Sequence, residues 1–446
     1  MAEPAKRIAI VGAGLSGALL ASLVAEAGYD VEVFEHRPDP RVRGALGGRS
    51  INLALSARGI HGLRRAGLAE KILADAIPMS GRMIHAPTGQ VTFQPYSKNP
   101  ADAINSVSRA VLNIALIEGA DRYDNVRFRF ENRCVDVNVE RPSVTVIEGA
   151  GGRPVEYDVD LVIGCDGAFS VVRGALQRLD RFDYSQSYLD HGYKELSIPP
   201  TATGDFAMPP GGLHIWPRGG SMMIALPNKD RSFTCTCFWP FNGPNSFDAV
   251  QTDDEILSFF RKQFPDAVPL MPTLVADYQR NPTSSLVTVR CAPWYYRDTV
   301  VLAGDAAHAV VPFYGQGINA GFEDCVLLAD CLAEHRSDRG QALKAYYLGR
   351  KIHADAIADL AIANFLEMRD HVASARFRMK KRTERLLHRL LPRWYTPLYN
   401  LVSFTLIPYA EAVARTRRAK RVLGIAAATL FGLVLAAMSY LSWVLR

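Results

Sequence analysis

Alternation and periodicity divide the chain into elements. An apolar run, Ile8 to Val11, meets a glycine cluster. An alanine-rich helical stretch then reaches Gly28, and a second strand, Asp30 to Phe34, ends at Glu35. Further on, SGRMIHAPTGQVTFQPYS, Ser80 to Ser97, alternates as two strands around a turn near Thr88-Gly89. The alternation puts Ile84 and Ala86 on the face of Arg82, with Val91, Phe93 and Pro95 returning opposite. A guanidinium in that company is costly unless it meets an anion. Two more apolar strands, Asp160 to Ile163 and Thr299 to Ala303, run into glycine turns, and GAGGRP, Gly149 to Pro154, reads as a hairpin turn. The last element differs from all of these. VLGIAAATLFGLVLAAMSYLSWVL, Val422 to Leu445, runs 24 residues without a charge, enough to cross a hydrocarbon core with some tilt.

Hydrophobic residues fill 48% of 446 positions and charged residues 22%, a profile of a folded body of two or three domains. The net charge of +6 is unevenly spread. Residues 1–375 hold 37 Lys and Arg against 43 Asp and Glu, whereas residues 376–446 hold 14 against 2. This distribution argues against a nucleic-acid-binding body and points the basic end at an anionic surface. Seven cysteines lack metal-ligand spacing, so no metal is expected, and Cys235 and Cys237 in SFTCTCFW share a strand face as buried, reduced thiols. MAEPAKRIAIVGAG enters its first strand too soon for a signal or transit peptide, so the body is expected to face a reducing compartment.

The first strand–turn–helix–strand unit has the chemistry of a dinucleotide site. Gly12 permits the tight turn, Gly14 lets backbone approach a pyrophosphate, and Gly17 lets helix and strand pack closely. The helix N-terminus adds free N–H groups and positive potential. Glu35 would accept hydrogen bonds from ribose hydroxyls and repel a 2′-phosphate, so FAD or NAD fits there and NADP does not. DVDLVIGCDGAFSVVR places Asp166 after a second strand, and DTVVLAGDAAHAVVPFYGQGINAGFEDC places Asp305 after a third, with a helix opening near Gly317. Taken singly, either aspartate could equally be a helix cap or turn residue.

In order, the glycine fingerprint, the DG turn and the GD turn resemble the single-component FAD-dependent aromatic hydroxylases over Lys6 to about Cys331. The resemblance implies that Glu35 holds the adenosine ribose, Asp305 the ribityl chain, and Arg109 of SVSRAVLNIAL the phosphate region. It implies that Gly12, Gly14, Leu15, Gly17, His36, Arg37, Ala54, Asp166, Gly317, Ile318 and Asn319 complete the FAD site. The helix opening near Gly317 would aim its dipole at the flavin's pyrimidine edge, where reduced flavin is negative. His308 in GDAAH reads as structural, since nothing pairs it with a nucleophile. Flavin halogenases are disfavoured, because they need a W-x-W-x-I-P element and the chain offers only Trp216 followed by Pro217.

Four stretches resemble the kynurenine 3-monooxygenase family more closely. They are GRSINLALSARG (Gly48 to Gly59), the Ser80–Ser97 hairpin, PFYGQGINAGFEDC (Pro312 to Cys325) and IANFLEMRDHV (Ile362 to Val372). Tyr314 stands where that family's pattern has phenylalanine. The resemblance implies NADPH as transient electron donor and dioxygen as co-substrate. L-kynurenine would become 3-hydroxykynurenine through a flavin 4a-hydroperoxide, in tryptophan degradation toward NAD. Arg82 and Tyr96 would clamp the α-carboxylate, Tyr96 falling within about one residue of the position opposite Arg82. Asn364 and Tyr399 would add substrate contacts, while Pro312, Phe313 and Gln316 would shape the oxygen site.

The expected fold is α/β. A doubly wound FAD-binding domain is assembled from residues 1–75, 101–180 and 290–340, with an inserted mixed β-sheet substrate domain from 76–100 and 181–289. A C-terminal helical region, 341–421, leads to a transmembrane anchor, 422–445. RFRMKKRTERLLHRLLPR, residues 376–393, is a basic helical pattern. RTRRAKR, Arg415 to Arg421, and the far aromatics Tyr440 and Trp443 flank the apolar run as they would a single membrane span. The body would then face the cytosol, on the mitochondrial outer membrane in a eukaryote or the inner membrane in a bacterium. A membrane-anchored FAD-dependent reductase or dehydrogenase of a lipid fits the same signatures, as does a flavoprotein scaffold without turnover.

Overall fold

The glycine-punctuated strands assemble around Arg7–Val11, which pairs in parallel with Asp30–Phe34 on one side and Leu161–Gly164 on the other. These are the continuous apolar runs, and both their faces are covered, as a parallel sheet requires. The six-stranded order is Tyr295–Tyr296, Val300–Leu302, Leu161–Gly164, Arg7–Val11, Asp30–Phe34, Val126–Arg129, parallel except at the Tyr295–Tyr296 edge. Helices Leu15–Glu26 and Gly317–Glu334 share its core. Residues 149–154 join antiparallel strands, with Ile147 opposite Pro154. This computed structural model describes residues 6–43, 52–97, 99, 101–149, 151–367, 379, 383, 384, 387 and 394–445, without the side chains at 43, 426, 427, 430, 441 and 442.

A seven-stranded sheet forms the second layer, in the order Ser284–Ala292, Asp183–Ile198, Phe233–Pro240, Met222–Pro227, Gly212–Pro217, Gly81–His85, Val91–Pro95. It is mixed, because Gly212–Pro217 and Gly81–His85 run parallel while the other pairs are antiparallel. One face packs Trp216, Trp239, Cys235 and Cys237 against helices Asp253–Gln263 and Leu274–Arg280. All seven cysteines are free thiols. Alternation puts Tyr193, Glu195, Thr236, Phe238, Met222, Ile224, Leu213, Arg82 and Tyr96 on the other face.

The hairpin register corrects the expected pairing. Arg82 lies opposite Gln94 and Ile84 opposite Thr92. The loop Ala86–Gln90 shifts the return strand by one residue relative to the simple alternation, so Val91 and Phe93 point to solvent instead of facing Arg82's side. Tyr96, whose N–H bonds the Ser80 carbonyl, stands two positions past Gln94 and is Arg82's diagonal neighbour on the same face.

Buried ions tie the parallel sheet to the C-terminal helices. His308 Nε2 meets Asp324 at 2.5 Å, and the Gly304 N–H donates to the same carboxylate at 2.9 Å. Arg350, on the long helix Arg339–Leu366, donates to Asp324 at 2.6 Å and Glu323 at 2.5 Å. Arg58 donates to Glu323 at 2.7 Å and to the Ile407 carbonyl. His308 is thus structural, as expected from its lack of a nucleophile partner. Beyond Ile407, one helix runs Tyr409–Val444. The anticipated membrane span needs restating here: among the described residues no helix is long and apolar enough to cross a membrane. Most of the basic stretch 376–393 lies outside the described residues.

Burial pushes the Asp324 carboxyl up, but His308 and Arg350 outweigh it and hold the pKa below the ordinary value. A depressed carboxyl stabilises the fold above its unfolded pKa, and that contribution is lost as pH falls through the folded value. Asp324→Asn is therefore expected to cost on the order of 3–5 kcal/mol in urea unfolding at neutral pH. The gap from the wild type should narrow as pH drops below about 4. Equal stability of the two proteins at neutral pH would contradict this.

Candidate flavin and substrate site

The glycine turn is built for close approach. Gly12 has φ +100°, and a Cβ there would lie 2.6 Å from the Cys165 oxygen. A Cβ on Gly17 would meet the Gly12 oxygen at 1.9 Å, so helix and turn pack without room for a side chain. Gly14 instead faces open space and caps helix Leu15–Glu26 without any side-chain hydrogen bond. The first-turn N–H groups beside Leu15 can therefore take an anion. Glu35 is buried at the strand end and accepts from the Ala13 N–H at 2.9 Å and from Arg37 Nε at 2.8 Å, with His36 Nδ1 at 3.0 Å. Burial pushes this carboxyl up, yet Arg37 holds it below its ordinary value, so it stands ionised.

The two later aspartates differ. Asp166 Oδ2 accepts from the Val171 and Val172 N–H groups at 2.6 and 3.2 Å, so the cap reading holds, while Oδ1 is buried without a partner. Arg173 locks this turn to the GD turn by donating to the Ala168 and Ala306 carbonyls at 2.6 and 2.9 Å. Asp305 opens to solvent and makes no side-chain hydrogen bond among the described residues. Crowding on its remaining sides pushes its carboxyl up, countered by His308 and Arg109. Arg109, exposed at the start of helix Arg109–Ala120, pairs with no carboxylate among the described residues. Burial pushes the Glu195 carboxyl up to about 7, against the pull of Arg109.

The Asn319 side chain is turned inward. Its Nδ2 donates to Ala54 and Gly315 carbonyls at 2.9 and 2.8 Å, and its Oδ1 accepts from Ser56 and Gly59 N–H groups at 2.9 and 3.1 Å. The side chain is fully spent inside the protein, leaving only backbone at Gly317, Ile318 and Asn319, where helix Gly317–Glu334 begins without a side-chain cap. An open glycine cradle, two helix starts without side-chain caps, and an Asp166 oxygen, Asp305 and Arg109 without partners among the described residues fit a flavin dinucleotide.

Arg82 lies under aromatic rings rather than beside an acid. Its guanidinium carbon is 4.8 Å from the Tyr399 ring centre and 5.7 Å from that of Tyr96, and those two rings stack at 5.1 Å. Tyr314 adds a third ring, 5.5 Å from Tyr399. Arg82 forms no ion pair with the described residues, and its Nε and the Tyr96 hydroxyl are buried without hydrogen-bond partners. Burial pulls the guanidinium down, but Tyr399, Tyr96 and Glu367 hold its pKa above the ordinary value. Burial also raises Tyr96 well above the usual phenol range. These groups are close enough to perturb one another without a well-formed hydrogen bond.

The loop after the GD turn is gripped from behind. Phe313 sits between Phe238 and Phe365, ring centres at 4.9 and 4.3 Å, and Pro312 is exposed. Asn364 Nδ2 donates to the Phe313 carbonyl at 2.6 Å, and the buried Gln316 accepts from the Tyr409 hydroxyl at 3.0 Å. Gln316 and Asn364 thus direct these groups inward, holding the loop. Sequence reading missed Arg58, Arg173, Arg350, Glu195 and Tyr409; the sole available signal was charge and phenol within apolar helical or strand patterns. A separate cleft of about 640 Å³ opens between helix Arg109–Ala120 and the turn at Pro227–Ser232. Its rim charges Lys71, Lys229, Asp75 and Asp230 cancel, and neither Arg82 nor Asp305 lines it.

Comparison with known proteins agrees with this geometry. A family described as FAD binding domain matches residues 6–361. Kynurenine 3-monooxygenase of Salinispora tropica is 47% identical over 421 residues, 94% of this chain and 92% of the relative. The Dictyostelium discoideum enzyme of that name is 47% identical over 91% of this chain and 90% of its own, and that of Sus scrofa 42% over 94% and 88%. Among solved structures, 2-methyl-3-hydroxypyridine-5-carboxylic acid oxygenase superposes with TM-score 0.68 at 19% identity, covering 84% of this chain and 95% of that one. Tetracycline destructase gives TM-score 0.61 at 18% identity, covering 85% and 96%. These two show the fold alone. With its glycine cradle, mixed second sheet and aromatic-walled arginine, the chain belongs to the FAD-binding kynurenine 3-monooxygenase family.

Proposed function

We propose that the protein hydroxylates L-kynurenine to 3-hydroxykynurenine with FAD, NADPH and dioxygen. The observation that carries the substrate assignment is Arg82, a cation that forms no ion pair among the described residues, beside a phenol without a hydrogen-bond partner there, on the inner face of the second sheet. A carboxylate would accept two parallel hydrogen bonds from the guanidinium and one from Tyr96, relieving both deficits. Tyr399 completes the lid over the clamp. The aromatic ring of the substrate then lies along Leu213, Ile224, Met222 and Phe238 toward Phe313, an apolar wall that excludes water.

Bound FAD supplies the acceptance of hydride from NADPH and the activation of dioxygen. The chain contributes binding and orientation. Glu35 takes the ribose hydroxyls, and Arg109 meets the phosphate region. Asp305 and the Asp166 turn would hold the ribityl segment, and the N–H groups at Gly317 to Asn319 would stabilise negative charge on reduced flavin. Pro312, Phe313 and Gln316 fix the loop at the oxygen site without an acid–base role. The FAD-binding body is read as residues 1–75, 101–180 and 290–340, with 76–100 and 181–289 inserted. The relatives favour this hydroxylase over a lipid reductase or a scaffold.

The C-terminal helix is read as a membrane anchor on its sequence: a basic flank ending at Arg421, then 24 residues without charge. Ile425, Phe431, Leu433, Met438 and Trp443 are each more than 60% exposed, which water would penalise and lipid would not. Leu433→Arg in the full chain should cost about 2.5–3.5 kcal/mol of insertion, and with Val434→Arg should release the protein from membranes on alkaline extraction. Retention of the double variant in the pellet would contradict the anchor.

Purified protein should oxidise NADPH in step with L-kynurenine, and the product mass should rise by one oxygen atom. Oxidation that proceeds without oxygen would point to a reductase instead. Arg82→Ala should keep FAD and fold but lose roughly 30- to several-thousand-fold in kcat/KM, the loss typical of a desolvated charge pair. Arg82→Lys should recover part of it, since an ammonium cannot reproduce the two parallel bonds. A kynurenine analogue without the carboxylate should be poor for the wild type and little worse for Arg82→Ala. If Arg82→Ala discriminates against it as strongly as the wild type, Arg82 is structural.

A further inference from the structure

We infer that Tyr409, first residue of the C-terminal helix, is a positioning residue that holds Gln316 and through it the loop Pro312–Gln316 in working geometry. The inference rests on the role proposed above for that loop. Tyr409 is fully buried, and its hydroxyl donates to Gln316 Oε1 at 3.0 Å. The Gln316 amide nitrogen donates to Ser56 Oγ at 3.3 Å, so the whole amide is engaged within the protein. The other grip on the loop is Asn364 at the Phe313 carbonyl. Both grips come from helices that follow the FAD-binding unit in the chain.

The phenol is itself held. The Arg58 guanidinium lies 4.0 Å from its ring centre, a buried cation–π contact. Arg58 also pairs with Glu323 and donates to the Ile407 carbonyl just ahead of the helix, and the Ala410 N–H donates to His353 Nδ1 at 3.3 Å. Glu323 shares Arg350 with Asp324, which reaches His308 and the Gly304 N–H. One connected set of ions and hydrogen bonds therefore runs from the GD turn to the start of the C-terminal helix and back to the flavin-side loop. Packing alone would be served by phenylalanine. A buried hydroxyl is costly unless bonded, and the bond it makes here is to Gln316.

The test uses the full-length, FAD-loaded protein. Tyr409→Phe keeps the ring and its Arg58 stack and removes one hydrogen bond; Gln316→Ala removes the same bond from the loop side. FAD content should hold in both; the thermal midpoint should hold in Tyr409→Phe and fall by roughly a few degrees in Gln316→Ala, which leaves the buried Tyr409 hydroxyl unbonded. The share of oxidised NADPH that ends as hydrogen peroxide should rise roughly three- to tenfold in each, the effect of one lost neutral hydrogen bond. The flavin difference spectrum produced by kynurenine should change shape in the same way in both, and the double variant should be no worse than either single one. A fully coupled Tyr409→Phe with a wild-type difference spectrum, beside a leaking Gln316→Ala, overturns the inference and leaves the loop reading standing. Additive leaks in the double variant overturn it as well. A fully coupled Gln316→Ala overturns the loop reading, and this inference with it.

Discussion

A guanidinium taken from water without a counter-ion is among the costliest groups a fold can carry, several kcal/mol even after relaxation. Arg82, which forms no ion pair among the described residues, is such a group. Two tyrosine faces return part of that cost, roughly 0.5–2 kcal/mol each. They leave its buried Nε–H without a partner among the described residues, and an acid placed there would have removed the demand for a ligand. The surrounding architecture is arranged to keep the deficit open: the hairpin sets Arg82 on the inner face, Tyr399 arrives from the C-terminal region, and the buried Asp324 and half-buried Glu323 are consumed by Arg58, Arg350 and His308.

Those consumed acids explain how the two ends of the chain cooperate. Asp324 and Glu323 stand on helix Gly317–Glu334, and their partners lie on the long helix, on the helix after Ala54, and at the GD turn. Each acid is held from two sides, Glu323 by Arg58 and Arg350 and Asp324 by His308 and Arg350. That makes the arrangement rigid, and rigidity is what a site that must exclude water needs. The C-terminal helix is fastened into this set through Ile407, Tyr409 and Ala410, so its start is tied to the loop Pro312–Gln316.

Much of this was legible in the chain. Gly12, Gly14, Gly17 and Glu35 follow from turn sterics and one strand end, which are local properties. Arg82 was legible because a cation in an alternating apolar strand violates a local rule, and such violations mark function. The hairpin phase was not, since the loop Ala86–Gln90 decides it and several loop lengths fit the same residues. The roles of Asn319 and Gln316 were hidden for a different reason. Nothing in GQGIN distinguishes an amide that meets a cofactor from one that meets Ser56, Ala54 or Tyr409, because those partners are hundreds of residues away or supplied by another layer. Pairings such as Arg58 with Glu323 are long-range by nature, and a single sequence carries no record of them.

The most direct measurement is a crystal structure of the FAD-loaded protein with L-kynurenine bound. The account predicts both carboxylate oxygens within about 2.7–2.9 Å of Arg82 guanidinium nitrogens, with the Tyr96 hydroxyl donating to one of them and the ring against Phe238 and Phe313. Kynurenine bound with its carboxylate elsewhere, and Arg82 turned to a protein acid such as Glu367, would contradict it.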